Sequence, residues 1–346
     1  EELRRILTEV MGFRQLISDP VMFVKDLPDG KIIVGGYVDD LLPIAPKQSD
    51  LDAFKDELAS HLKLKSFPLG TYLGVQSHQD PATGTITIHH FRKISELLEE
   101  QGMGDCAPVS TAIQPNVRLS RADCPKKGSE LPKVQRKQYR SAVGSLMHIM
   151  TMTRPDISVG VKILSEALDN PSEKHIQALK WMLRYLNGTR GYGITYYGRD
   201  DPRKTNVRMD LHGFYDADWG GDEFDRKSRC GYVFLLSGGA ISWWSGKQEL
   251  VASSTTHAEY IGQDAAAREL EWLLQLLKEL GLPPHTIPLI YGRELTTTLY
   301  RDNQPAQNLA KNPVNHKATK HFDIKLHRIR ELIRNKVFRL LYVPQT

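Results

Sequence analysis

Phe214-Tyr215-Asp216-Ala217-Asp218-Trp219 opens, and Thr255-Thr256-His257-Ala258-Glu259-Tyr260 followed by a leucine stripe to Gly281 closes, the stretch from which the rest of this chain can be read. Upstream, Val207, Met209, Leu211, Gly213 and Tyr215 alternate with polar residues, so a strand delivers Asp216 at its end on the face opposite Tyr215. Cys230 to Leu236 and Ala240 to Trp244 read as two further strands joined by Ser237-Gly238-Gly239, which completes a three-stranded antiparallel meander. A helix then starts at Ser253 to Thr256, keeps Leu270, Leu273, Leu274, Leu277 and Leu280 as one stripe against a sheet, and ends at Gly281. Beyond it, Leu295 to Tyr300 is a strand with Asp302 at its end, and Gln304 to Ala310 a short helix. Phe322, Leu326, Ile329 and Ile333 mark an amphipathic helix, and Val337 to Val343 the last strand. The expected class is α/β (α+β), with a mixed five-stranded sheet flanked by helices.

Three carboxylates of this stretch, Asp216, Glu259 and Asp302, fall at element edges, where strands end or helices start. That is how a fold builds a cluster for hard divalent cations. Each also has an ordinary structural use. Thr256-x-x-Glu259 matches a capping box, and Asp302 can cap a helix that begins at Gln304. Asp218, Asp222, Glu223 and Asp225 form an acidic loop expected to be solvated, since it lacks the residue order of a calcium loop.

The chain has 346 residues, 40% of them hydrophobic, enough for more than one core. Its 46 basic and 41 acidic residues give a net charge of +5, which permits a polyanionic partner without requiring one. The three cysteines, Cys106, Cys124 and Cys230, lie far apart, so neither a disulfide framework nor a structural zinc site is supported and a reducing intracellular setting, cytoplasmic or nuclear, is expected. No apolar run is long enough to span a membrane, and Glu-Glu-Leu-Arg-Arg at the start is no signal peptide, so neither a membrane role nor secretion is expected. Both ends read as cut from something longer.

Towards the N-terminus, Leu3 to Leu16 reads as a helix and Val21 to Val24 as a strand. Asp29-Gly30 is a hairpin signal leading into Lys31 to Gly36. Tyr37-Val38-Asp39-Asp40-Leu41-Leu42 then sets two adjacent carboxylates at a hairpin tip, although an Asp-Asp pair is also common in plain turns. A helix follows from Ser49 to Leu64. Pro43 falls where the second hairpin strand should continue and removes a ladder donor. After Gly84 come a strand, Thr85 to His89, and a helix, Phe91 to Gln101. Past the basic linker Pro125 to Ser129, apolar residues at 143, 146, 147 and 150, and at 176, 179, 182, 183 and 186, recur at helical spacing. Thr153-Arg154-Pro155-Asp156-Ile157 reads as a turn and helix start, which gives Arg154 and Asp156 a structural role.

Tyr-Val-Asp-Asp-Leu-Leu after a hairpin, with the helix and Leu69-Gly70-Thr71-Tyr72-Leu73-Gly74-Val75 behind it, resembles the palm of a reverse transcriptase of copia-type LTR retrotransposons. Gly144-Ser145-Leu146-Met147, Thr153-Arg154-Pro155-Asp156 and Arg184-Tyr185-Leu186-Asn187-Gly188-Thr189 are similar to the connecting segment of the same polyproteins. Asp-Ala-Asp-Trp, Gly-Tyr-Val-Phe, Ile-Ser-Trp, Ala-Glu-Tyr, Asp-Asn-Gln and Thr-Lys-His-Phe-Asp-Ile are similar to their ribonuclease H. The resemblance covers essentially the whole chain. It implies a partial palm at residues 1–77, a palm-to-thumb region at 78–125, a helical connection at 126–206 and a ribonuclease H-like domain at 207–346. Asp39 and Asp40 would belong to the polymerase site, the first as the stronger metal ligand, but the third palm carboxylate has no counterpart here. The family's fourth nuclease acid would lie beyond Thr346; Asp323, ahead of the last strand, does not replace it.

Cleaving a phosphodiester requires an activated water and a stabilised leaving oxygen, and two Mg²⁺ ions held by hard oxygen ligands supply both. On this view Asp216, Glu259 and Asp302 hold two ions per active site, with Mn²⁺ able to substitute, and the expected reaction is cleavage of RNA in RNA/DNA hybrids. His316, Lys317, Lys320, Lys325 and Arg328 belong to a positive run placed to track the phosphates of a hybrid. Their histidines lack the partners of a zinc site. The expected partners are the hybrid, template RNA and DNA and, from the resemblance, other polyprotein segments such as integrase and capsid. The rival expectation is a decayed or co-opted remnant that binds nucleic acid or a protein without turnover.

Overall fold

The structure is a computed structural model that describes residues 1–198, 200–206, 210–221, 225–282, 297–301 and 320–342, with backbone alone at 205, 206, 301, 320–326 and 342. The chain divides into two compact units, residues 1–68 with 268–295, and residues 69–267 with 296–346.

In the first unit a helix, α1 (Glu2–Arg5), runs into a π-helical turn, Ile6–Val10. The helix expected to reach Leu16 stops there because Gly12 turns the backbone left-handed at φ 73°, which frees Arg14 and Gln15 to pair as β1 (Arg14–Gln15) with Val24 and Phe23. β2 (Met22–Leu27), β3 (Gly30–Tyr37) and β4 (Asp40–Ile44) complete an antiparallel sheet in sequence order. Phe23, Ile32 and Val34 face a core shared with Ile6, Leu7, Met11 and, from α2 (Gln48–Ala59), Phe54 and Leu58. Val24, Ile33 and Met22 face the other way, onto Leu276 and Leu280. A sheet covered on both faces explains why Ile32-Ile33-Val34 is unbroken apolar sequence. Pro43, expected to interrupt the hairpin, is accommodated because β4 is the edge strand and the Val34–Pro43 pair is one of those that exchange no ladder hydrogen bonds when counted from the two-residue tip.

The second unit begins with a four-stranded antiparallel sheet, β5 (Thr71–Tyr72), β6 (Val75–Gln79), β7 (Ile86–His89) and β8 (Gly193–Tyr196). Four helices, α3 (Phe91–Glu100), α4 (Lys133–Met152), α5 (Ser158–Ser165) and α6 (Glu173–Gly188), bury one core around Leu97, Tyr139, Val143, Leu146, Val161 and Leu183. The second sheet has five strands: β9 (His212–Asp218), β10 (Arg229–Leu236), β11 (Gly239–Lys247), β12 (Thr297–Arg301) and β13 (Phe338–Tyr342). Their order is β11-β10-β9-β12-β13, antiparallel through the meander and parallel from β9 to β12 and from β12 to β13. This is the mixed sheet expected from the sequence. α7 (Thr255–Glu279) and α8 (Lys320–Arg334) complete the described elements. The leucine stripe of α7 does lie against a sheet, but in its second half that sheet is the one formed by β2 and β3. The helix expected over Gln304 to Ala310 lies outside the described residues.

Strand β11 is held by β8 and by the helical segment of the same unit. The Trp243 indole donates to the Met150 carbonyl at 3.0 Å, and Tyr196 hydroxyl to the Ala240 carbonyl at 2.7 Å. Glu166, at the end of α5, receives Arg229 at 2.5 Å and Lys247 at 2.9 Å.

Candidate active site

β9 alternates in burial as a strand with one covered face must: Tyr215 and Ala217 are buried, whereas Phe214, Asp216 and Asp218 are exposed. Asp216 therefore leaves the central strand opposite Tyr215, as its spacing predicted, and one carboxylate oxygen accepts the Ala217 N–H at 2.8 Å. The N-terminal half of α7 packs on this strand. Ala258 shares a buried cluster with Ala217 and Cys230. At Gly262 a Cβ would stand 3.2 Å from Cys230 Cβ and 3.7 Å from the Asp216 carbonyl oxygen, so only a small residue lets the helix come this close. The first two turns of α7 are thus seated on the backbone of Asp216 and Ala217, and Glu259 lies in those turns, 3% exposed.

The capping explanation of Glu259 does not hold. Ser254 is the residue whose hydroxyl accepts the His257 N–H at 3.1 Å, while the His257 ring receives the Ser253 N–H at 3.2 Å. Ser254 and His257 therefore make the N-terminal cap of a helix that begins at Thr255, and Glu259 lies past it. A buried carboxylate costs solvation unless something cationic or donating meets it.

On the other side of β9, β12 pairs in parallel, Thr298 with His212, Leu299 with Gly213 and Tyr300 with Phe214. Asp302 lies two residues beyond Tyr300 and outside the described residues, as do His316 and Lys317. Lys320 and Lys325 lie on α8, their side chains undescribed. Arg328 donates to the buried Asp264 of α7 at 3.0 Å, so part of its charge neutralises a carboxylate inside the fold. Among the described residues no group of three or more His, Cys, Asp or Glu could hold a metal ion. The donors that are described, an exposed aspartate and a withdrawn glutamate on adjoining elements, are hard oxygen ligands of the kind Mg²⁺ takes.

Asp39 is the second residue of the two-residue β3–β4 tip and Asp40 the first of β4, paired with Tyr37, and both are exposed. Val38, 85% exposed, holds φ 53° at the first tip position, a left-handed conformation that a β-branched residue seldom adopts. The hairpin acids belong to the first unit, Asp216 and Glu259 to the second.

Two residues on the elements around the site went unread in the sequence. Trp219, half exposed, is fixed by an indole hydrogen bond to the Ala252 carbonyl at 2.9 Å. Gln248 is buried against the start of α7. The first carries a signal, an aromatic in an acidic turn; the second carries none, because its partner is a backbone carbonyl.

Among the described residues no helix is long and apolar enough to cross a membrane. Residues 2–115 match the family model of reverse transcriptase (RNA-dependent DNA polymerase). A Pol polyprotein of the transposon TNT 1-94 from Nicotiana tabacum is 36% identical over 94% of the chain, and that of the transposon RE1 from Arabidopsis thaliana 36% identical over 99%. The match takes in 23% and 22% of those two relatives, so the chain spans about a quarter of their length. Secreted RxLR effector protein 161 of Plasmopara viticola is 43% identical over 39% of the chain, and the match covers 90% of that protein. The hairpin acids fall inside the matched family region and the polyprotein likeness runs on through all three sheets, so the chain belongs to the reverse transcriptase region of copia-type retrotransposon Pol polyproteins.

Proposed function

We propose that the five-stranded sheet with α7 and α8 is a ribonuclease H-like domain that cuts the RNA strand of RNA/DNA hybrids with the help of Mg²⁺. The reading rests on one observation: the central strand carries an exposed Asp216 two residues before its end, and the helix bearing the withdrawn Glu259 is seated on the backbone of that same strand segment. Asp302 is the third proposed ligand, and it follows Tyr300 by the same two residues by which Asp216 follows Phe214, the partner of Tyr300 across the sheet. Bound there, magnesium supplies an activated water and a counter-charge for the leaving oxygen. The chain's own part is to fix the acids: β9 through its ladder, α7 through close packing at Gly262. His316, Lys317, Lys320 and Lys325 are proposed to meet the hybrid's phosphates, with Arg328 dividing its charge between them and Asp264. Residues 1–77, 78–125 and 126–206 are proposed as partial palm, palm-to-thumb region and connection, with Asp39 and Asp40 as an incomplete polymerase site facing template RNA and DNA. Other segments of the polyprotein, integrase and capsid among them, are the proposed protein partners, in an intracellular setting.

The test is cleavage of a labelled RNA/DNA hybrid with Mg²⁺. The wild-type chain is expected to cut, and Asp216→Asn and Glu259→Gln to lose at least about a hundredfold in rate, the order seen when one electrostatic element of a site is removed. Equal rates in all three would sink the assignment. A second reading, a co-opted remnant that binds without turnover, is favoured by the small effector protein that matches part of this chain nearly end to end. Tight hybrid binding by the wild-type chain with no cleavage in Mg²⁺ or Mn²⁺ is the outcome that supports it.

A further inference from the structure

Gln248 directly follows β11 and is 3% exposed. Its main-chain N–H donates to the Ser228 carbonyl at 2.8 Å, and its side-chain Nε2 donates to the Ala258 carbonyl at 2.8 Å. Ser228 is fully buried, and its hydroxyl accepts the Gly220 N–H at 3.1 Å. One run of hydrogen bonds therefore joins the loop after β9, the start of β10, the end of β11 and the first turns of α7. It ties together the two elements that bear Asp216 and Glu259.

The carbonyl that Gln248 holds belongs to the planar peptide linking Ala258 to Glu259, so fixing that oxygen restrains the direction in which the Glu259 side chain leaves the helix. Volume alone does not account for an amide here. The Gln248 Oε1 is buried with no hydrogen-bond partner, a cost that an apolar side chain of the same size would not carry.

We infer that Gln248 is a positioning residue: by clamping the Ala258 carbonyl it aims the Glu259 carboxylate at the cation that Glu259 shares with Asp216. This inference rests on the nuclease reading of those two acids. It also adds a residue that touches neither substrate nor metal.

The experiment uses the full chain. Gln248→Met keeps the side-chain volume and removes the donor; Gln248→Glu keeps the shape and also lacks the N–H, and serves should the first variant not fold. Mn²⁺ binding is followed by electron paramagnetic resonance of the free ion, and amide hydrogen exchange along α7 and α4 by mass spectrometry. The Mn²⁺ site that Asp216→Asn abolishes is expected to weaken about tenfold in a Gln248 variant, the scale of one hydrogen bond. Exchange at residues 259–262 should accelerate by a similar factor while α4 keeps wild-type rates and hybrid affinity in Ca²⁺ stays within about twofold. Wild-type Mn²⁺ affinity in a folded Gln248 variant overturns the positioning role and leaves the nuclease reading standing. Acceleration of α4 along with α7 marks Gln248 as a residue of the fold and overturns the role as well. Mn²⁺ binding that does not change in Asp216→Asn overturns both.

Discussion

Arg154 is fully buried, and its guanidinium is used on every side. It donates to Asp156 at 2.7 and 2.9 Å and to the carbonyl and hydroxyl of Thr189 at 3.0 and 2.7 Å, and it lies over the rings of Tyr185 and Tyr192. Arg154 and Asp156 thus have the structural role that the turn Arg154-Pro155-Asp156 suggested. Its partners across 35 residues were not legible, because nothing in a sequence links a threonine at a helix end to a distant arginine. Burial on its own would raise the Asp156 carboxyl, but hydrogen bonds and charge from Arg154, with the Tyr185 hydroxyl, outweigh it and hold the group below its usual range. An acid depressed in this way stabilises the fold above its unfolded value and loses that contribution as pH falls through the folded one. Arg154→Ala is expected to cost about 3 kcal/mol or more in urea unfolding, because it strands Asp156 and the Thr189 carbonyl; a loss below about 1 kcal/mol would show the clasp to be ornamental.

His90 gives a prediction of the same sign in a higher pH window. Burial, reinforced by the nearby His148, His89 and Lys93 charges, lowers it from 6.5 to about 4, and Nδ1 pairs with the Thr153 hydroxyl at 2.6 Å. The unfolded chain takes up this proton first, so stability is complete above 6.5 and declines between 6.5 and about 4, by about 3 kcal/mol at most. His90→Gln should flatten the urea midpoint over that range, and an unchanged slope would assign the acid sensitivity elsewhere.

At the level of elements, periodicity revealed the meander, α3, α6 and α7 nearly to the residue, because each has a period set by one covered face. It failed where an element owes its existence to a distant partner. β8 is four residues beginning with Gly193, and only its ladder with β7, from Ile86–Tyr196 to His89–Gly193, makes it a strand. It failed again at helix ends, where Gly12 rather than the apolar spacing stops the first helix. The β3–β4 hairpin was legible from Asp29-Gly30 and the acidic pair, but the left-handed Val38 was not. Releasing that strain with Val38→Gly is expected to stabilise the first unit by about 1 kcal/mol, read as an increase in urea midpoint. A destabilisation would mean that the valine side chain makes up for its backbone.

For the molecule as a whole, the sequence indicated more than one core and a chain made of reverse transcriptase parts, while the compact units cut across it differently: the second half of α7 packs on the N-terminal sheet through Leu276 and Leu280. That packing was hidden because the leucine stripe of α7 announces a sheet without naming which one. Likewise the five-stranded sheet and the helical segment share one unit, joined by Trp243 to Met150 and by Glu166 to Arg229 and Lys247. Residues 207–346 expressed alone are therefore expected to be aggregated or molten, with β11 stripped of its cover, whereas in the full chain the five-stranded sheet and the helical segment should unfold together. Cooperative unfolding of the shorter piece would contradict this. The order of the acids along the chain suggested a set of three, and that set stands as a proposal; what the sequence could not supply is the seating of α7 on the backbone of Asp216 through Gly262, which depends on a residue with no side chain. The direct measurement is anomalous diffraction from crystals of the full chain soaked in Mn²⁺. Density for metal bound jointly by the carboxylates of Asp216, Glu259 and Asp302 is the predicted result, and metal-free density at Asp216 with Asp302 turned away from the other two would contradict the account.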